Sequence, residues 1–320
     1  MKPRELITRK LLQAIIVTSF SISSTSALTL DWSSVKGKEV TLFYPGQASW
    51  EWLLTESDHR GADKFKQGKN CIECHKLEES DMGSKILTGQ KLEPDPIPGK
   101  SGSIKVIIKT AHDGEKFYIR FEWKETPQGD QPIMDKDFDT RITIMFDDGH
   151  VVEAKRAGCW GTCHDDAKGM ASAPKGKEIN KYLARSRTKI GRSGGGENYK
   201  PQAELDQLLN EGIFMEFWQA GLNQGAEPVA VDGYILDKWH KNDNPLVDVR
   251  AEFDGDKWTV TMSRKLSASD PHRKNITPGQ TYPVGFALHD NHTNHRYHHV
   301  SFEHTFALDQ GEADFIAVKK

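Results

Sequence analysis

The sequence predicts a mainly β protein, in which an antiparallel β-sandwich follows an N-terminal helical segment and contains a few inserted helices. Apolar and polar residues alternate over several short stretches, and Asp-Gly pairs adjoin some of them. The 27 Gly and 14 Pro are suited to many turns. With 320 residues, 36% apolar and 28% charged, the chain has the length and composition of a globular protein with a substantial core.

Residues 1–27 have the layout of a cleaved signal peptide. Four basic residues among the first ten precede an apolar run at 11–20 and a small-residue stretch that ends at Ala27. The run is too short for a membrane span, and no later stretch resembles one. Because the leader holds four basic residues and one acid, its removal changes the formal charge from −3 to −6. We therefore expect a periplasmic, acidic protein, which argues against nucleic-acid binding.

The mature chain divides into two parts in this interpretation. In residues 28–100, the spacing of Trp50, Leu53 and Phe65 predicts short helices, and a Pro- and Gly-rich loop over 94–102 ends the segment. Residues 101–320 are expected to form the β-sandwich domain, which begins with a hairpin turning at Asp113-Gly114. Its predicted strands are 104–108, 117–123, 141–146, 247–253, 258–262, 284–288 and 297–306. An apolar periodicity predicts a helix over 202–223.

The four cysteines fall into two pairs, and a histidine follows each pair. Cys71, Cys74 and His75 have the C-x-x-C-H spacing of a c-type haem attachment site, in which two thiols bond to the porphyrin and the histidine ligates the iron. Cys159, Cys163 and His164 form a second motif with one more residue between the thiols. We therefore expect two covalently bound c-type haems, with His75 and His164 as their proximal ligands.

Zinc binding, disulfide formation and redox activity are the other uses that such cysteine pairs have in proteins. A four-cysteine zinc site would be expected to have its pairs closer in sequence. Two local disulfides or a redox-active pair suit an oxidising compartment. None of these alternatives requires a histidine directly after each cysteine pair. Haem attachment explains both histidines, so it is favoured at both motifs.

The second axial ligand of each iron is expected from other histidines. His59 precedes the first motif within a predicted helical stretch, and His112 shares a strand face with Ile104, Val106 and Ile108. In the predicted strand 297–306, His298 has the parity of the apolar residues and His299 the parity of the polar ones, so His298 is predicted to point inward. Met82 and Met170 follow the two motifs closely, although methionine more often packs in a core.

The sequence resembles a family of haem-binding domains. This family includes the gamma subunit of ethylbenzene dehydrogenase and the cytochrome-type subunits of the DMSO reductase class. The matching stretches are 43–52, 59–62, 71–75, 111–114, 158–164 and 296–301. The resemblance implies a β-sandwich haem domain with an added c-type haem segment, acting in periplasmic electron transfer of anaerobic respiration. Gamma subunits of this family hold a noncovalent haem through methionine and lysine, and the cysteines of this chain depart from that pattern.

We therefore expect a periplasmic dihaem cytochrome that passes electrons between respiratory partners and is not an enzyme. The expected partners are redox proteins, such as a membrane-anchored quinol-oxidising multihaem cytochrome or a periplasmic reductase. The acidic net charge predicts docking to a basic patch on the partner. Two alternatives remain open: a haem-bearing subunit of a molybdenum dehydrogenase or reductase, and a haem enzyme with an open iron position, such as a reductase or peroxidase.

Overall fold

A computed structural model of the chain describes residues 30–46, 50–89, 93, 95–158, 161, 183–190 and 199–320. Residues 32–320 form one compact unit. The predicted leader lies outside the described residues, and so do Cys159, Cys163, His164 and Met170. The domain boundary near residue 100 stays a prediction.

Strands dominate the described part of the chain. The thirteen strands are β1 (Lys38–Phe43), β2 (Ser103–His112), β3 (Lys116–Lys124), β4 (Thr140–Phe146), β5 (Met215–Leu222), β6 (Val229–Ile235), β7 (Trp239–Lys241), β8 (Asp248–Asp254), β9 (Lys257–Lys265), β10 (Thr281–His289), β11 (His299–Val300), β12 (His304–Leu308) and β13 (Phe315–Lys319). The helices are α1 (Trp50–Leu53), α2 (Ala62–Lys66), α3 (Cys71–His75), α4 (Glu79–Ile86), α5 (Val152–Ala157) and α6 (Gln202–Asn210). The prediction of a mainly β protein is confirmed.

All thirteen strands belong to one sheet, with the order β7-β6-β5-β4-β10-β11-β1-β2-β3-β9-β8. β12 pairs with β10 and β13, and β13 pairs with β2, so that six strands close a ring from β10 through β11, β1, β2, β13 and β12. Most pairs are antiparallel, while β13 is parallel to both of its neighbours. The finer expectation of a two-layer sandwich stays a prediction.

Two predicted elements differ from the structure. The helix predicted over 202–223 ends at Asn210, because Gly212 has a φ of +75° that only glycine adopts readily, and the chain continues as β5. All eight residues of β5 are buried, so its sequence lacks the alternation of apolar and polar residues that would distinguish a strand from a helix. The strand predicted over 297–306 is interrupted between β11 and β12. His299, predicted to face outward, is fully buried, because this segment is covered on both sides.

The sheet buries apolar residues on both faces. Trp218 of β5 and Phe286 of β10 belong to one hydrophobic cluster, whereas their strand neighbours Phe217 and Ala287 belong to a second. The second cluster also contains residues of α1, α2, α3, α5 and α6. We call this side of the sheet the helix-covered face, and Cys71 lies in its cluster.

Candidate haem-binding site

The first cysteine motif forms the five-residue helix α3, which is held by a capping box. Asn70 Oδ1 accepts a hydrogen bond from the Glu73 backbone N–H at 2.9 Å, and Glu73 Oε2 accepts one from the Asn70 backbone N–H at 2.9 Å. One helical turn brings Cys71 and His75 onto the same side of α3. Cys71 is buried, and Cys74 is exposed.

A cavity of about 340 Å³ adjoins this helix. Its lining includes both cysteines, His75, His59 and the apolar residues Trp52, Leu53, Phe65 and Met82. Trp52 stacks on the His59 ring with a centroid separation of 5.2 Å. The cavity therefore combines two thiols, two imidazoles and apolar walls, the groups that a covalently attached porphyrin requires.

The His59 and His75 rings both line the cavity, with centroids 6.2 Å apart and ring planes at 35°. His59 Nδ1 donates to the Leu53 carbonyl oxygen at 3.1 Å, and His75 Nδ1 donates to Glu78 Oε2 at 2.9 Å. These bonds fix the tautomer and leave Nε2 of each ring for a metal. Two metal–imidazole bonds of about 2.0–2.1 Å would give a centroid separation of roughly 6 Å if both Nε2 atoms pointed at the metal, so the observed separation suits two imidazoles that would hold one iron.

The electrostatics of the cavity favour neutral ligand groups. Burial lowers the pKa of His59, and the neighbouring His75 lowers it further, whereas the bond to Leu53 opposes both effects. Burial also raises the pKa of the Cys71 thiol well above its ordinary value, with a further contribution from Glu303. His59 is thus unprotonated at neutral pH, the form that ligates a metal. When bound, haem supplies the one-electron couple of its iron.

Comparisons with known proteins show the family of the chain. The family model described as ethylbenzene dehydrogenase matches residues 29–246 and 231–301. Cytochrome c-552 of Stutzerimonas stutzeri is 38% identical over 297 residues, which cover 92% of each chain. Cytochrome c-551 of Rhodocyclus tenuis is 28% identical over 293 residues, which cover 91% of this chain and 99% of that one. The chain is a c-type cytochrome of the ethylbenzene dehydrogenase gamma-subunit-like family.

The family resemblance predicted from the sequence is thereby confirmed, and the cytochrome carries covalently bound haem and acts in electron transfer. A solved carbohydrate-binding module of family 9 from Caldicellulosiruptor kristjanssonii aligns with 70% of this chain and 80% of its own. It is 11% identical, with a TM-score of 0.30, a likeness that carries no argument. Within the described ranges of the cytochrome, no helix has the length and apolar character needed to cross a membrane.

Two side chains from the segment between β11 and β12 connect the haem motif of the cytochrome to its sheet. Phe302 stacks on His75 with a centroid separation of 6.2 Å and packs at a tilt against Phe43 of β1, with centroids 4.8 Å apart. Glu303 Oε1 accepts a hydrogen bond from the Ile72 backbone N–H at 2.9 Å. Sequence reasoning missed both residues, since they lie more than 200 positions from the motif. Glu78 was also missed, although its i, i+3 spacing from His75 was a usable signal.

The described residues nearest to Cys159 in sequence approach Glu303 and Trp50, which contact residues beside the first cavity. Gly158 has a φ of +56°, and a Cβ there would lie 2.9 Å from the Glu303 backbone. A Cβ at Gly161 would lie 3.3 Å from the Trp50 ring, which packs edge-on against Phe65 at a centroid distance of 5.2 Å. Gly158 and Gly161 therefore approach residues that support the first site.

The structure brings together His59, His75, Cys71 and Cys74, but not the other two predicted distal ligands. His112 lies at the end of β2, with Nε2 2.9 Å from Asp309 Oδ1. His298 is buried and stacks on His289 with centroids 4.8 Å apart. Neither lines the first cavity. Their assignment as ligands stays a prediction.

Proposed function

We propose that this cytochrome is a periplasmic dihaem electron carrier. The first haem is bound covalently by Cys71 and Cys74 and ligated by His75 and His59. The observation that carries the proposal is the pair of imidazole rings 6.2 Å apart, each held through Nδ1, at the mouth of the cavity beside Cys71. A second haem is proposed on Cys159 and Cys163, with His164 as its proximal ligand and His298 or His112 as the candidate distal ligand.

An electron carrier is favoured over a haem enzyme because the first iron would have protein ligands on both sides. An iron whose axial positions are both closed exchanges electrons without binding substrate. The apolar lining from Trp52, Leu53 and Phe65 keeps water away from the haem and so helps to set its potential.

Export and partners complete the proposal. The basic, apolar and small-residue order of residues 1–27 supports export to the periplasm. There the cytochrome would take electrons from one respiratory protein, such as a membrane-anchored quinol-oxidising multihaem cytochrome, and deliver them to another, such as a reductase.

The experiment that tests the proposal is the intact mass of the protein isolated from the periplasm, together with its reduced absorption spectrum. We expect the cleaved chain plus two haems, with low-spin bands and no prompt binding of carbon monoxide. Cys71→Ser/Cys74→Ser and Cys159→Ser/Cys163→Ser form a matched pair, and each is expected to lose one haem. If the second pair leaves the mass unchanged, the dihaem proposal is wrong. Prompt carbon monoxide binding by the wild type would favour an enzyme.

A further inference from the structure

Among the described residues, the charged side chains that line the first cavity are all basic. Arg60, Lys64 and Lys69 lie on its lining, and no described aspartate or glutamate does. All three side chains are exposed, and they lie on the loop before α2, on α2 itself and on the loop before α3. We call Arg60, Lys64 and Lys69 the cationic rim.

Two members of the cationic rim have charges that nearby acids do not neutralise. Neither Arg60 nor Lys64 has an ion-pair partner in the described part of the chain, whereas Lys69 pairs with Glu73 at 2.6 Å. Two acids near them in sequence pair with a different lysine. Glu56 and Asp63 both pair with Lys66, at 2.9 and 3.7 Å.

An exposed apolar residue lies close to the rim in sequence. Leu77, two residues after His75, is 87% exposed and has a φ of +68°. A leucine in this left-handed region is uncommon, and such strain is found preferentially at functional sites. Leu77 follows the helix that carries His75, and exposed apolar and charged side chains together are the composition of a transient protein–protein contact.

The rim opposes the charge of the whole molecule. The formal charge of the chain is −3, and the removal of the leader makes it more negative. At physiological salt, exposed charges are screened over about 8 Å, so the charges beside the haem outweigh distant ones in the final docking. The net charge alone predicted a basic partner, and the local arrangement predicts the reverse.

We infer that the cationic rim, with Leu77, is the docking surface for a redox protein that presents a cluster of carboxylates. This inference rests on the proposed haem at Cys71. The electron would enter or leave that haem at the edge of the cavity. Arg60 and Lys64 supply the attraction, while Leu77 supplies apolar contact area. Electron exchange at this haem is therefore governed by the positive rim and not by the negative net charge.

The test uses small redox probes of opposite charge. The reduced protein is mixed with hexacyanoferrate(III), an anion, or tris(phenanthroline)cobalt(III), a cation, at ionic strengths from ~10 to ~200 mM, a range over which screening changes strongly. The kinetic phase of the first haem is the one that Cys71→Ser/Cys74→Ser abolishes. We expect its oxidation by the anion to slow as salt rises. In Arg60→Glu/Lys64→Glu we expect the low-salt rate to fall about tenfold and the salt dependence to reverse.

Arg250→Glu/Lys265→Glu is the matched control, because it makes the same change of net charge at exposed positions on β8 and β9. It should leave the wild-type salt dependence in place. Equal effects of both double variants, or a wild-type rate with the anion that rises with salt, would overturn the inference. A shift of the midpoint potential with an unchanged salt dependence would overturn it too, and would assign the rim to the haem propionates. Absence of haem from the Cys71 peptide would instead contradict the proposed function.

Discussion

Two histidine-bearing regions of this cytochrome differ in how their ring nitrogens are used. At the cavity, His59 and His75 each have Nδ1 bonded to the protein, and Nε2 is left for a metal. Around β11, the fully buried His299 has both nitrogens close to protein oxygens, with Nε2 2.7 Å from the Ser101 carbonyl oxygen and Nδ1 3.2 Å from Asp290 Oδ1. Burial alone therefore does not identify a ligand histidine. The two proposed ligands each have Nδ1 held by the protein and line a cavity.

The largest effect is expected from His59→Ala. Removal of the distal imidazole leaves the first iron with an open position, so one haem should become high-spin and bind carbon monoxide promptly. Absorption spectra of the reduced protein, with and without carbon monoxide, measure the change. Met82→Leu is the control, since Met82 also lines the cavity, and it should keep the low-spin spectrum. If Met82→Leu becomes high-spin and binds carbon monoxide while His59→Ala stays low-spin, Met82 is the distal ligand. The comparison of the two histidine regions would then be wrong.

A smaller and different effect is expected from His299→Ala. The change deprives the Ser101 carbonyl group and Asp290 of a buried partner, and should lower the free energy of unfolding by about 3 kcal/mol. The haem spectrum and the carbon monoxide response should stay as in the wild type. His295→Ala, at an exposed position in the same segment, should cost less than about 0.5 kcal/mol. Denaturant unfolding measures both, and loss of a low-spin haem in His299→Ala would place a ligand in this region.

The difference between the two regions also shows which features can be predicted from the sequence. The hairpin of β2 and β3 was predictable, because half-buried strands alternate and Asp113-Gly114 marks the turn between them. The attachment motif was equally local. The sequence could not show which of His59, His112 and His298 lies near His75, because that depends on the fold. Glu303 gave no signal, since its partner Ile72 is 231 positions away.

The smallest effect concerns acid sensitivity around His289, which stacks on His298 and donates from Nε2 to the His295 carbonyl oxygen at 3.0 Å. Burial lowers the pKa of His289 to about 4, opposed by the bond to His295. In the unfolded chain the ordinary pKa is about 6.5. Between these two values the unfolded state binds more protons than the folded state. The contribution of His289 to stability is therefore complete above about pH 6.5 and is lost as the pH falls towards 4.

His289→Phe keeps an aromatic ring for the stack and removes the titrating group. We expect the loss of stability between pH 7 and about pH 4.5 to be roughly 1–2 kcal/mol smaller in this variant than in the wild type, as measured by denaturant unfolding at both pH values. His295→Phe, at an exposed position, should keep the wild-type pH dependence. Equal pH dependence in all three proteins would show that the His289 ring is solvated like an exposed one. Burial would then not hold the His289 ring in its neutral form.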